Sequence, residues 1–469
     1  MLTATILLFI SGYTIIALEH QLGINKTATA LVLGMLLWTL CIFTGPDIII
    51  SANSTSFHEY IAANPPLHSL SLREQAIQYL INLQIIDHLG NIAEILFYLL
   101  GAMTIVEIID THHGFDLITK QIKTKNKKKL LWLIAFITFF MSAVLDNLTT
   151  AMVMVMLLRR LISDQTERWI FGSIVILAAN AGGTWTPIGD VTTIMLWIHD
   201  NITAAHIMKQ LLFPSLISIV IPLIIVSFRI KGNTTSVNNA PRETGNNLSV
   251  SHREQLIILL LGIICLLFVP VFKSTTHLPP FVGILLALGM LWIYLEILYN
   301  RKKTTSVTFP YRVSAILSKI DYSTLLFFLG ILLSVAALQT LGVLNHMAAF
   351  LNEKLDNIYL IDSIIGLLSS IIDNVPLVAA AMGMYPLVTP DTQPLTPYLM
   401  NFVTNGTFWE LLAYCAGVGG SILIIGSAAG VVVMGLERIN FVWYLKHITW
   451  IALLGYLGGI AVYILQKSI

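Results

Sequence analysis

Charge is what this sequence has least of. Only 11% of its 469 residues are Asp, Glu, Lys or Arg, while 56% are apolar. A soluble chain of this size needs a far more charged surface, which excludes the soluble classes. The net charge of +1 gives no reason to expect a nucleic-acid partner. Cysteine is scarce too. Cys41, Cys265 and Cys415 stand far apart in apolar runs, which argues against disulfides and thiolate metal sites and reads as three small buried hydrophobes. No GxxxxGK[ST] pattern occurs, so an ATP-driven pump is not expected. No catalytic constellation stands out either, so the chain is expected to be no enzyme and to need no cofactor. The first apolar run, MLTATILLFISGYTIIAL, has no basic n-region and no small-residue cleavage site, and reads as a retained transmembrane helix.

What is present is a series of apolar runs, each about 17 to 25 residues and long enough for one crossing. The fold class is all-α, polytopic, in a lipid bilayer. Helices are expected at about 2–18, 27–44, 91–111, from near Trp169 to 199, and at 208–228, 254–272, 281–299, 323–342, 410–435 and 447–466. Residues 73–88 are amphipathic and are expected to lie on the outer interface. Residues 232–253 are polar and join two halves, 1–231 and 254–469. Basic residues cluster at 120–129, at Arg159, Arg160 and Arg168, at Arg229 and Lys231, at 301–303 with Arg312, and at Arg438 and Lys446. The positive-inside rule puts these in the cytoplasm. Residues 45–90 carry one basic residue, Arg73, and residues 355–436 carry none, so both should contain outward-facing loops.

One segment conflicts with simple alternation. Between Lys129 and Arg159 only Asp146 is charged across 29 residues. That is too short for two crossings, about 20 residues each. With both basic ends in the cytoplasm, residues about 130–158 form a re-entrant hairpin with Asp146 and Asn147 at its tip. A single long tilted helix would strand three arginines outside.

The chain repeats itself weakly. LDNLTTAMV around Asp146 has a counterpart in IDNVPLVAA around Asp373, 227 residues on. AGGTWTPIGD, with Gly182, Gly183, Thr184, Gly189 and Asp190, has a counterpart in VGGSILIIGS, with Gly419, Gly420, Ser421, Gly426 and Ser427, 237 residues on. The second Asp-Asn segment, about 359–387, lies in the stretch without basic residues and should enter from outside. Two halves of opposite orientation with matched breaks point to an inverted-repeat transporter. Broken backbone at membrane depth survives only where it is buried in protein or lines a cavity. Here Gly weakens the helices and Pro187 removes a donor.

The chemistry follows from residue type. Asp146, Asp190 and Asp373 are the candidates for binding the transported ion or proton. Burial favours a protonated carboxyl and a bound cation favours a charged one, so competition between the two gives exchange. Freed carbonyls, with Asn147, Thr149, Gly183, Thr184, Asn374, Ser421 and Ser427, are hard oxygen donors suited to Na⁺. An aspartate capping a half-helix is the plain structural alternative. Glu94 and Glu107, with Asp110, recur at helical spacing and read either as a proton path or scaffold ion pair, or as simple interfacial residues. His112 and His113 read as surface residues at the cytoplasmic boundary. Lys273 and His277 read as a loop brace or a gate. A passive channel would need an open polar pore, which this pattern lacks.

Together, GAMTIVEIIDTHHGF, LDNLTTAMV, GGTWTPIGDVTTIM, VPVFKSTTHLPP, FFLGILLSVAAL, IDNVP and GGSILIIGSAAGVVVMG resemble the NhaD-type sodium/proton antiporters of the ion transporter superfamily, over nearly the whole chain. That superfamily also holds dicarboxylate and arsenite transporters, which keeps a sodium- or proton-coupled organic anion or oxyanion transporter as the alternative. The resemblance implies exchange of cytoplasmic Na⁺ or Li⁺ for external H⁺, a bacterial inner membrane, scaffold and transport domains, two opposed hairpins and a homodimer. The tips map to Asp146 and Asn147 and to Asp373 and Asn374. The unwound helices map to 182–190 and 419–427. Val418 stands where the family pattern has threonine, which leaves Asp146, Asn147, Thr184 and Asp190 as the stronger Na⁺ cluster.

Overall fold

The computed structural model describes residues 2–17, 19–52, 55–119, 124, 126–230, 232, 251–300, 311–355, 357–389 and 396–468. They form helices and short connections, with no extended strand among them. In order these are α1 (Leu2–Ala17), α2 (Lys26–Ala52), α3 (Ile85–Thr111), α4 (Lys127–Leu145), α5 (Asn147–Leu161), α6 (Gln165–Thr184), α7 (Val191–Ile198), α8 (Ala204–Arg229) and α9 (His252–Thr276). Then follow α10 (Pro280–Asn300), α11 (Tyr322–Thr340), α12 (Val343–Leu355), α13 (Ile358–Ser369), α14 (Asn374–Met384), α15 (Thr407–Gly419), α16 (Ala428–Glu437), α17 (Phe441–His447) and α18 (Thr449–Ser468). In hydrocarbon the backbone must satisfy itself, which only helices or closed barrels achieve. Many starts are written locally: Asn126, Asp164, Asn357 and Asn440 each accept a hydrogen bond from the first turn they cap. Among the described residues eight helices are long and apolar enough to cross a bilayer, or nine if α16 and α17, bent by 115°, count as one span. The chain is a multi-pass membrane protein.

Several expectations change. Residues 73–88 are continuous with α3 instead of forming a separate helix. A capping box of Ser71 and Glu74 starts a helix at Leu72, which continues through a π turn into α3, giving a 40-residue run to Thr111. No proline interrupts it, and a π turn absorbs the register without ending the helix. Helix α2 likewise runs past residue 44 and through Pro46. Helix α12 was not foreseen; Gly342, at φ 70°, turns the chain between it and α11. His112 is fully buried, its ring against Tyr299 and Tyr311, instead of on the surface, while His113 is exposed. Cys41 and Cys415 are buried and Cys265 is partly so. Of the polar linker, residues 233–250 lie outside the described residues; α9 starts at its end, capped by Ser251 and Glu254. Residues 120–123, 125 and 301–310 of the basic clusters also lie outside.

Two compact units emerge, each drawing on both sequence halves. The first is Met1–Phe97 with Asp321–Asp356 and Ala379–Pro386. Its centre is the crossing of α2 and α11, where backbones touch: a Cβ on Gly34 would lie 2.7 Å from Gly330 O. Small residues at such a crossing allow the close packing that membrane helices rely on. Trp38 Nε1 donates to Leu333 O across it at 3.0 Å.

The second unit is Tyr98–Ile320 with Asn357–Val378 and Leu387–Ile469. Here α4 and α5 fold back on each other and pack against α6. Lys127, opening α4, pairs with Glu167 at the start of α6. Arg159, closing α5, shares Glu437 with Arg168, one residue beyond Glu167. Both ends of the 127–161 segment therefore meet the same end of α6. Helices α13 and α15 pack together in the same manner, and α8 pairs with α18. Lys273 bonds to Asp200 at 2.7 Å and lies over the Trp197 ring, so it braces the loop after α7.

Candidate functional site

Four helix breaks meet in the second unit. The first separates α4 from α5 at Asp146, whose backbone takes φ 92° and ψ 156°. Its carboxylate accepts from Thr149 N at 2.7 Å and Thr149 Oγ1 at 2.8 Å, capping α5. The second lies between α13 and α14, where Asp373 accepts from Val375 N at 3.2 Å. The third, residues 185–190, separates α6 from α7. The fourth, residues 420–427, separates α15 from α16.

The weak sequence repeat is a structural one. Ser142 donates to Ala179 O at 2.6 Å, and its counterpart Ser369 donates to Ala416 O at 2.7 Å. Thr184 donates to Ala181 O, and Ser421 to Val418 O. A Cβ on Gly182 would sit 2.2 Å from Phe139 O, and one on Gly419 would sit 2.1 Å from Gly366 O. Each Gly-Gly pair is there because backbone passes against backbone with no room for a side chain. At Gly182 and Gly419 these contacts are close helix packing, the alternative to a cavity-lining role for these glycines.

Asp190 is the hub. It is 1% exposed and caps α7, taking Thr192 N and Thr192 Oγ1 at 2.9 Å on Oδ1. Asn147, from the first break, donates to Oδ2 at 2.6 Å. Asn374, from the second break, approaches the same carboxylate at 3.4 and 3.5 Å. Asp146 and Asp373 are both close enough to interact with Asp190 electrostatically. Asn147 also donates to Asn180 Oδ1 at 3.1 Å, and Asn180 donates to Ser427 Oγ at 2.8 Å. Ser427 in turn caps α16, receiving Gly430 N. One chain of hydrogen bonds therefore ties the first, third and fourth breaks, with the second at its edge. The halves differ at its centre: Asp190 and Asn180 correspond by the repeat to Ser427 and Gly417.

Of the residues expected at the site, Asn147, Asp190, Asn374 and Ser427 are brought together, with Asp146 and Asp373 beside them. Thr149 serves Asp146 as its capping partner. Gly183 packs on Gly189 O. The Thr184 hydroxyl is engaged by Ala181 O and Ser215 Oγ. Ser421 is buried and bonded to its own helix end. Glu94 belongs to the first unit and is not placed in the cluster. Glu107 pairs with Lys319 at 3.7 Å and accepts from Thr111, which favours the scaffold ion pair. Asn180 and Ser215 were missed. Asn180 was visible as the sole polar residue between Ser173 and Thr184, but a neutral amide in an apolar run signals less than a carboxylate. Among the described residues no three His, Cys, Asp or Glu side chains converge as a metal cage. A cation here would meet single carboxylates supplemented by amide, hydroxyl and carbonyl oxygens, the donors a hard ion prefers.

The chain matches the citrate transporter family (CitMHS) over residues 6–404. It belongs to that family. Within it, the NhaD-type resemblance holds at full length. The chain is 42% identical to sodium/proton antiporter 1 of Arabidopsis thaliana, over 98% of this chain and 72% of that one, and 42% identical to sodium/proton antiporter 2 of the same plant, over 98% of each. It is 28% identical to the Na(+)/H(+) antiporter NhaD of Vibrio cholerae, over 98% and 91%. These relatives come from a plant and a bacterium and do not single out a bacterial inner membrane.

Proposed function

We propose that the chain is a secondary active antiporter that moves cytoplasmic Na⁺ or Li⁺ out in exchange for external H⁺. Cation and proton take turns on the Asp146, Asp190 and Asp373 cluster. The observation that carries this reading is Asp190. Its carboxylate is buried, asparagines from both Asp-Asn breaks converge on it, and among the described residues no lysine or arginine pairs with it. A buried negative centre with no fixed countercharge must draw one from solution, as a proton or a metal cation. The relatives named as sodium/proton antiporters support the same choice. With their amides rotated, Asn147 and Asn374 offer carbonyl oxygens to a bound ion. The carbonyls ending α6 and α15 are further donors, and Na⁺ and H⁺ are substrates, so no cofactor is needed. In this proposal both hairpins are re-entrant from opposite faces, and alternating access is motion around the broken helices. Because the carboxylates interact, they titrate as a group.

The family description favours a second reading, an organic anion such as citrate. Half-helix N-termini do attract anions. At α7, however, Asp190 already fills that position and takes Thr192 N itself, so an incoming carboxylate meets a negative charge. The test is proton flux in everted vesicles from a host lacking its own sodium/proton antiporters. With an acid lumen established, Na⁺, Li⁺, K⁺ or citrate is added in turn. Alkalinisation by Na⁺ or Li⁺, lost in Asp190→Asn, is expected. Citrate uptake with no cation response would overturn the antiporter reading.

A further inference from the structure

A fourth carboxylate, outside this cluster, is buried more deeply than Asp146 or Asp373. Asp362 lies on α13, is 0% exposed, and neither of its oxygens has a hydrogen-bond partner among the described residues. An ion so placed is far costlier than a neutral acid. Its neighbours are specific. The Tyr456 hydroxyl on α18 donates to Ser363 O, one residue beyond Asp362, at 2.8 Å, and Cys415 on α15 and Tyr463 on α18 interact with Asp362 electrostatically. The Tyr463 hydroxyl donates to Glu410 Oε2 at 2.6 Å. Glu410 is itself 0% exposed, and it is held by His206 Nε2 at 2.6 Å and Lys467 Nζ at 2.9 Å. His206 is partly exposed, its side chain 35% accessible. It stands near the start of α8, the end opposite Arg229, which the positive-inside rule puts in the cytoplasm.

We propose that Asp362 is a second proton-binding site, reached from the external face through His206, Glu410 and Tyr463. The titratable and charged groups around the path are Tyr359 on α13, Glu410, Tyr414 and Cys415 on α15, Tyr456, Tyr463 and Lys467 on α18, and His206 on α8. No lysine or arginine among the described residues pairs with Asp362 itself. Helix α15 continues toward the cation cluster. Gly417 is seven residues beyond Glu410, roughly 10 Å of helix rise, and a Cβ there would lie 2.1 Å from Thr184 Cγ2 and 3.9 Å from Asp190 Oδ2. The site thus holds a proton beside the route from the external face to Asp190. Its use in transport rests on the antiporter reading; its binding of a proton does not.

The test is infrared difference spectroscopy of the full-length protein in liposomes, titrated with pH and exchanged into D₂O. A protonated-carboxyl carbonyl band that is lost in Asp362→Asn, responds to bulk pH, and shifts more slowly in D₂O in Tyr463→Phe is expected. A band absent from the wild type, kept in Asp362→Asn, or indifferent to pH would overturn the proposal. Should Asp362→Asn fail to fold, Tyr463→Phe decides alone: it keeps Asp362, and unaltered D₂O exchange would exclude the path. Na⁺-driven proton flux is measured in parallel. Loss of flux in the wild type sinks the antiporter reading and leaves the band intact, while a displaced pH profile in Tyr463→Phe ties the site to exchange.

Discussion

Asn147 donates to Asp190 at 2.6 Å, so the first residue of α5 and the cap of α7 are held as one piece although 43 residues separate them. Its counterpart Asn374 reaches the same carboxylate only at 3.4 to 3.5 Å. The two halves therefore grip a shared carboxylate unequally.

That inequality has a kinetic consequence. A hydrogen bond to a charged group contributes about 1.5–3 kcal/mol, and contacts beyond about 3.2 Å contribute less. Asn147→Ala should raise the Na⁺ half-saturation of exchange by about tenfold or more, the equivalent of about 1.4 kcal/mol. Asn374→Ala should raise it by less. Sodium titrations of vesicle exchange measure both.

Asp190 combines a structural role with a charged one, and the two separate by substitution. Asparagine caps helices about as well as aspartate, whereas alanine costs about 1 kcal/mol. Asp190→Asn should fold with near-normal thermal stability in detergent and show no Na⁺-driven proton flux. Asp190→Ala should lose flux and also melt earlier.

Asp146 occupies a backbone region, φ 92° and ψ 156°, that is nearly reserved for glycine and costs about 1–3 kcal/mol for other residues. Replacing the cap by glycine costs only a few tenths of a kcal/mol. Asp146→Gly should therefore raise the melting temperature while abolishing exchange. A lower melting temperature would show that the carboxylate does more for stability than the backbone takes away.

The glycine contacts predict paired sensitivity. Gly182→Ala and Gly419→Ala each drive a methyl into a backbone carbonyl of the packed helix. Each should lose at least about 1–3 kcal/mol, as overpacked sites do. Gly90, around which a Cβ meets nothing within 4 Å, is the control, and Gly90→Ala should gain up to about 1 kcal/mol of helix propensity. Thermal unfolding of the four proteins side by side measures this.

The sequence alone determined whatever is local. Apolar runs of crossing length demand helices because lipid leaves no other partner for the backbone, and the 40-residue run to Thr111 differs from expectation only in where one helix begins. Asp146, Asp190 and Asp373 were legible because a carboxylate in an apolar run is costly enough to need a reason. The matched Asp-Asn and Gly-Gly breaks were legible because two copies repeat the same exception. Tertiary structure decided which of these groups meet. Asn180 looks like any tolerated amide until Asn147 and Ser427 close on it from positions 33 residues before and 247 after. His112 sits among polar neighbours in the sequence, yet two tyrosines far along the chain enclose it. Asp362 and Glu410 are each a single acid in an apolar helix; only packing leaves one without a hydrogen-bond partner among the described residues and gives the other three. Helix formation depends on neighbours three or four residues away, which any window of sequence contains. The environment of a buried polar group depends on which distant helix closes over it, which no window contains.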